Sequence, residues 1–188
     1  FGGRYDSAMA PSAALLLEGN PLVSVLIRSM DREYLDEAIH SLTLQTYVNI
    51  EVVVVNARTE EHRELGDRCG RYPLRLIQTG SSMSRSAAAN CALDNACGEY
   101  FIFLDDDDWI DPAHISLLVT AMQEHPKNWV AYCGTELRNF KREPVDFELM
   151  NAPFDAGRLR SGNYIPLNSL LFSKEVLING VRFDLGFD

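Results

Sequence analysis

No stretch of this 188-residue chain stays apolar long enough to cross a bilayer. The small apolar patch Ala13 to Leu17 is too short to be the core of a signal peptide. Positive charge is scarce as well. Lys and Arg number 17 against 27 Asp and Glu, for a net charge of −10 and a pI near 4.8. This excludes binding of nucleic acid, or of anionic membranes, through a general basic field; a local basic pocket remains compatible with it. Cysteine is sparse and unpatterned: Cys69, Cys91, Cys97 and Cys133 form no Cys-x-x-Cys spacing and have no nearby histidine pattern. Neither a zinc site nor a disulfide framework is indicated, and free thiols fit a reducing, cytoplasmic setting. Any attachment to the inner face of a membrane would be made through parts outside these residues. The four histidines, His40, His62, His114 and His125, share no mutual spacing and read as exposed or core residues. Internal repeats and low-complexity segments are absent. The first residue is Phe1 rather than methionine and the last is Asp188, so the chain is expected to be a piece of a longer polypeptide, cut short at its C-terminal side.

What is present organises into one α/β domain. With 46% hydrophobic residues, a chain of this length can bury one good core. Residues 1–20 carry Gly2-Gly3, Pro11 and Gly19-Asn20 and read as a leader or linker; 21–188 form the domain. Leu22 to Ile27 is a β-rich run, followed by Ser29 and Asp31 as cap candidates and by Tyr34, Leu35, Ala38, Ile39 and Leu42 at helical spacing. Ile50 to Val55 is too apolar for a strand with one wet face, which predicts a parallel sheet covered on both sides. Asn56-Ala57-Arg58-Thr59 is expected to lead into a polar helix through about Cys69, followed by a strand over Leu74 to Gln78 and an alanine-rich helix from about Ser84 to Ala96 that Cys97-Gly98 ends. Then follow a strand at 100–104, a helix from Pro112 to about Glu124, a strand at Val130 to Gly134, a hairpin or irregular lid over 135–165, and a strand from Ile165 to Phe172 leading to a short helix capped by Ser173. The β-α-β-α order predicts a Rossmann-like, doubly wound, mostly parallel sheet with right-handed crossovers and helices on both faces.

The most informative run is Phe101-Ile102-Phe103-Leu104-Asp105-Asp106-Asp107-Asp108. A buried strand that ends in four carboxylates delivers them to the crevice where α/β sheets bind ligands, and a shared cation offsets their repulsion. The competing reading is a solvated turn or a helix cap before Pro112. Asp108 and Asp111 are read as turn and cap, Asp105 to Asp107 as a site.

Four segments in order carry a resemblance. They are Pro21 to Ile27; Tyr34 to Val55, containing Gln45-Thr46-Tyr47; Asn90 to Asp108, containing Gly98-Glu99-Tyr100; and the closing Gly180-Val181-Arg182-Phe183-Asp184. Together they resemble the family 2 glycosyltransferases over about residues 21–188. The resemblance implies a GT-A fold, a nucleotide-diphosphate-sugar donor, a glycan, polysaccharide or lipid-linked acceptor, inversion at the anomeric carbon, and Mn²⁺ or Mg²⁺. A hard cation held by carboxylates and completed by substrate phosphates neutralises a diphosphate leaving group. The family's Asp-x-Asp motif falls on Asp105 and Asp107, with Asp107 the direct metal ligand and Asp105 and Asp106 holding the donor's ribose and the metal's waters. The carboxylate base that an inverting transfer needs is expected just beyond Asp188.

Departures from the family pattern mark the rest of the donor set. Asn56-Ala57-Arg58-Thr59 replaces Asp-Asp-Gly-Ser; the Asn56 amide offers a donor and an acceptor to a base edge. Arg28-Ser29-Met30-Asp31-Arg32 replaces Pro-Thr-Tyr-Asn-Arg, placing Arg28 and Ser29 among the donor-binding residues. Arg28 admits two readings, pairing with phosphate bidentately or with Asp31 as a structural partner. Arg85, in the first turn of its helix, is the candidate to replace an arginine missing from the family's Gly-x-Ser-Ala-Ala-Arg-Asn. Trp109 would stack on a sugar or base, or wedge the next helix; Asn168 and Ser169 lie where the family lines its acceptor side. Two rivals stand beside the enzyme: a degenerate GT-A binding or scaffold module without turnover, and a nucleotidyltransferase, whose glycine-rich basic loop is missing after the first strand.

Overall fold

The computed structural model describes residues 19–139, 143, 145 and 150–186. The leader expected over 1–20 lies outside them except for its last two residues, as do Phe140 and Asp188. Seven strands form one sheet: β1 (Val23–Ser29), β2 (Ile50–Asn56), β3 (Arg68–Cys69), β4 (Tyr72–Gln78), β5 (Tyr100–Asp105), β6 (Val130–Tyr132) and β7 (Leu170–Ser173). Their order is β3-β4-β2-β1-β5-β7-β6. β4, β2, β1 and β5 are parallel, whereas β7 runs antiparallel to both β5 and β6. The helices are α1 (Leu35–Thr43), α2 (Arg85–Asp94), α3 (His114–Glu124) and two short ones, α4 (Ala156–Ser161) and α5 (Glu175–Ile178). None of the helices among the described residues is long and apolar enough to cross a membrane.

Alternation along the strands divides the core in two. Val23, Val25, Ile27, Val52, Val54, Ile102 and Leu104 face α1 and α3, which contribute Leu35, Ala38, Leu42, Ile115, Leu118 and Met122. Leu26, Val53, Val55, Phe101 and Phe103 face α2, whose Ala88, Ala89 and Ala92 allow the helix to lie close to the sheet. Nine residues are too few for α1 to persist alone in water; burial of Leu35, Ala38 and Leu42 holds it. Its end is tied to the start of α3 by Gln45, whose amide donates to the carbonyl of Asp111 at 2.8 Å and accepts from the Ile115 amide at 3.3 Å.

Several local expectations are corrected. The polar helix expected after Asn56-Ala57-Arg58-Thr59, through about Cys69, does not form. Asn56 folds the chain back with its own side chain, accepting from the Arg58 amide and donating to the Glu60 carbonyl. His62 is buried, and Gly66 takes a left-handed φ of +71°, which interrupts any helical run. Gly98 is not a helix stop, since α2 closes at Asn95. A Cβ on Gly98 would lie 2.6 Å from Ser24 Oγ and 2.8 Å from the Ser24 nitrogen, so glycine is there to let the chain pass against β1. Ser29 caps no helix; α1 starts after Tyr34 without a side-chain cap. The last strand is shorter than expected, because Leu167–Ser169 form a 3₁₀ turn after Pro166 and β7 begins only at Leu170. In the region expected to be a hairpin or lid, Thr135 bridges Met150 in antiparallel fashion.

Candidate active site

The strand order reverses between β1 and β5, the place where a doubly wound sheet opens a crevice at its carboxyl edge. Register sets Arg28 of β1 opposite Asp105 of β5. Arg28 is largely buried, lies over the Phe103 ring and pairs with the Asp105 carboxylate through both Nη2 and Nε. Asp31, one of the two partners considered for Arg28, is engaged elsewhere. It adopts a left-handed φ of +55° and accepts from the Arg63 amide at 3.1 Å and Arg63 Nη1 at 2.8 Å.

The three central carboxylates differ in exposure and hence in what they can offer. Asp106 is buried and accepts from the Met30 amide at 2.8 Å, tying the loop after β1 to the end of β5. Asp105 and Asp107 have side chains 42% and 53% exposed and open onto the crevice. Arg32 spans Asp106 and Asp107, with Nη1 3.3 Å from an oxygen of each. Sequence reasoning assigned Arg32 no role; its place four residues after Arg28, in a loop facing the acids, was the available signal. Arg85 starts α2, behind the Ser84 cap, and lines the same cleft of about 90 Å³ as Arg28, Arg32 and the carboxylates. It has no hydrogen-bond or ion-pair partner among the described residues.

The other two donor candidates are turned inward. Ser29 is fully buried; its hydroxyl accepts from the Asp31 amide and lies 2.8 Å from His62 Nε2. His62 Nδ1 is 2.8 Å from the Arg63 carbonyl. A carbonyl only accepts, so Nδ1 donates to Arg63, while Nε2 faces both the Ser29 hydroxyl and, at 3.6 Å, the Asp31 carboxylate. Asn56, also buried, donates to Glu60 and Gln78 and accepts from Arg58.

Asp108 is neither a solvated turn residue nor a cap, which corrects the sequence reading. α3 begins only at His114, without a side-chain cap. Asp108 accepts instead from Asn168 Nδ2 at 2.9 Å. Burial, with Asp105 and Asp107 nearby, pushes its carboxyl from 3.8 up to about 6. Asp108 opens onto a second cavity, of about 520 Å³, between the start of α3 and the Gly134 to Arg138 segment. His114 lines it too, and burial lowers the imidazole below its ordinary range, keeping it neutral near pH 7. Trp109 stands at the lining with 41% exposure.

Carboxylate oxygens are the right donors for a hard divalent ion. Among the described residues, no three His, Cys, Asp or Glu side chains converge on a point that would hold one by themselves. An ion held by Asp105 and Asp107 would need its remaining ligands from water or substrate rather than from a protein cage.

Comparison with known proteins agrees with this architecture. The sequence matches the glycosyl transferase family 2 profile over residues 24–169. An uncharacterized glycosyltransferase of Rickettsia typhi is 31% identical over 171 residues, 87% of this chain and 52% of its own length. Glycosyltransferase GlyA of Streptococcus pneumoniae is 34% identical over 94 residues, 49% of this chain and 14% of its own. Among solved structures, S. aureus TarS 1–349 superposes with a TM-score of 0.67 at 20% identity, covering 87% of this chain and 50% of that one. Mannosyltransferase PcManGT from Pyrobaculum calidifontis, in complex with GDP-Man and Mn²⁺, gives 0.62 at 18% identity, covering 88% and 48%. The chain belongs to glycosyl transferase family 2 and has the GT-A fold. It spans about half the length of curated relatives that it matches over most of its own length.

Proposed function

We propose that this chain is the donor-binding part of a metal-dependent, inverting glycosyltransferase, which moves a sugar from a nucleotide-diphosphate-sugar to a hydroxyl of a glycan, polysaccharide or lipid-linked acceptor. The observation that carries the reading is the pairing of opposite charges at the β1/β5 crevice: Asp105 and Asp107 open to solvent, with Arg28, Arg32 and Arg85 lining the same cleft. A cation on Asp105 and Asp107 would neutralise the diphosphate as it leaves. The arginines supply planar donors for phosphate oxygens. Related GT-A structures hold UDP-GlcNAc in one case and GDP-Man with Mn²⁺ in another, which supports the donor class and the metal. Ser29, Asn56 and Asp106 act in this scheme by fixing the loops around the donor. No residue is assigned as base. Asp184 accepts from the Gly186 amide at 2.8 Å within its own turn.

The internal commitment of Asn56 also favours a second reading, a GT-A module that retains the fold without turnover. Calorimetric titration with UDP-, GDP- and dTDP-sugars, with and without Mn²⁺, on the natural sequence and on Asp107→Ala, separates the two. Saturable binding of one nucleotide class that needs Mn²⁺ and is lost in Asp107→Ala supports the enzyme. A folded protein that binds none of them removes the donor site and leaves the module.

A further inference from the structure

Asp107 lines both the donor cleft and the 520 Å³ cavity beside it, so whatever fills the cavity adjoins the donor. Its volume is in the ordinary range for small-ligand sites, roughly 300–1,000 Å³. Given the donor crevice proposed above, we propose that this cavity takes the acceptor's terminal sugar, and that it selects an uncharged, hydroxyl-rich glycosyl unit while rejecting one that bears phosphate or carboxylate.

Carboxylates dominate the charged groups of the lining, beside one buried imidazole nitrogen, His114 Nε2, that meets no hydrogen-bond partner among the described residues. Asn168 gives its Nδ2 to Asp108, while its Oδ1 is buried and meets no hydrogen-bond partner among the described residues. Asp108, Asp111 and Glu136 add carboxylate oxygens. The guanidinium in the lining, Arg138, is held by Glu136, at 2.6 Å from Nη2 and 3.0 Å from Nε. Sugar hydroxyls can donate hydrogen bonds to these carboxylate and amide oxygens, which phosphate or carboxylate oxygens cannot. Coulomb repulsion acts in the same direction, on the order of tenfold in affinity for each fixed carboxylate within about 8 Å of an anionic substituent. The exposed indole of Trp109 adds a flat apolar face against which the C–H side of a pyranose can lie.

The test is saturation-transfer difference NMR on the full-length protein with Mg²⁺ and a nucleoside diphosphate. The ligands are methyl glycosides of glucose, galactose, mannose and N-acetylglucosamine, the matching methyl uronides, and glucose 6-phosphate. At least one neutral glycoside should bind, at least tenfold tighter than its uronide. Asp111→Asn combined with Glu136→Gln should narrow that ratio to under threefold. Trp109→Leu should weaken the neutral glycoside at least fivefold and Trp109→Phe should restore much of it, the second variant separating loss of stacking from loss of folding. Uronides or phosphates that bind as tightly as the neutral sugar overturn the proposal. So does the absence of glycoside binding in a sample that binds nucleotide by calorimetry, and in that case the donor reading stands. If neither ligand binds, both fall.

Discussion

Arg28 and Asp105 lie opposite one another in the register of β1 and β5, 77 residues apart in sequence, and their side chains form an ion pair at the mouth of the crevice. The strands bring to this point the positive charge of one and the first of four negative charges of the other. Arg28 thus supports the acidic strand end, and under the proposed function it would meet a phosphate of the donor.

Arg28→Gln should lower stability by about 1–3 kcal/mol, less than the loss of a fully buried pair because the Asp105 side chain is 42% exposed. Arg28→Lys should fall between, since an ammonium cannot reproduce the two contacts of the guanidinium. Urea unfolding at low and high salt reads both. An unchanged midpoint for Arg28→Gln would show that the pair does not hold the two strand ends.

Asp108 should make stability depend on pH in an identifiable window. Its carboxyl is raised from 3.8 to about 6 in the folded chain. The folded state therefore holds a proton that the unfolded state has released, and the stability this gives is complete below pH 4 and lost as pH rises through about 6. In EDTA, Asp108→Asn should be more stable than the natural sequence by roughly 1–2 kcal/mol at pH 7.5, allowing for residual solvent screening, with the difference vanishing near pH 4. Thermal melts of both proteins across this range measure it; a pH-independent difference would place the group's titration elsewhere.

Gly98→Ala should cost about 3 kcal/mol, at the upper end for overpacking. The added methyl would meet the Ser24 nitrogen at 2.8 Å and the Tyr100 carbonyl at 2.7 Å, which are backbone atoms that cannot swing away. Ser24→Ala in the same chain should not rescue it, because only the hydroxyl contact is relieved. Rescue in urea denaturation would show that the strand ends are looser than this spacing implies.

Asn90 holds the closing Gly180 to Asp184 segment, with its amide donating to the Phe183 carbonyl at 2.9 Å and accepting from the Phe183 nitrogen at 3.0 Å. Asn90→Ala should free two backbone groups and release Phe183 from its edge-on contact with Phe103. Hydrogen exchange at the Phe183 amide should accelerate at least tenfold, for a loss of about 2 kcal/mol. Protection that survives the substitution would mean that the aromatic contact alone fixes this segment.

Much of the fold was legible because it rests on periodicity. The valine-rich run of β2, with four consecutive valines, was readable as a strand covered on both faces, and the acids following Leu104 could only emerge at the carboxyl end of β5. The segment after Asn56 was misread because its conformation is set by side chains meeting side chains distant in sequence, His62 with Ser29 and Arg63 with Asp31, which no local pattern records. Arg32 was passed over for the same reason, its partners lying 74 and 75 residues away.

The sequence by itself determined the element order, the family, and the delivery of Asp105 and Asp107 to a crevice, because hydrophobic period and chain order are local properties that burial enforces. Only the tertiary structure decided which polar side chains face that crevice. Asn56 and Ser29 turn inward, whereas Arg28, Arg32 and Arg85 line it with the largely buried Asp106, and Asp108 opens onto the neighbouring cavity. Hydrogen-bond partners are chosen by proximity after folding, and a buried polar group takes whichever partner the packed strands and loops bring within reach.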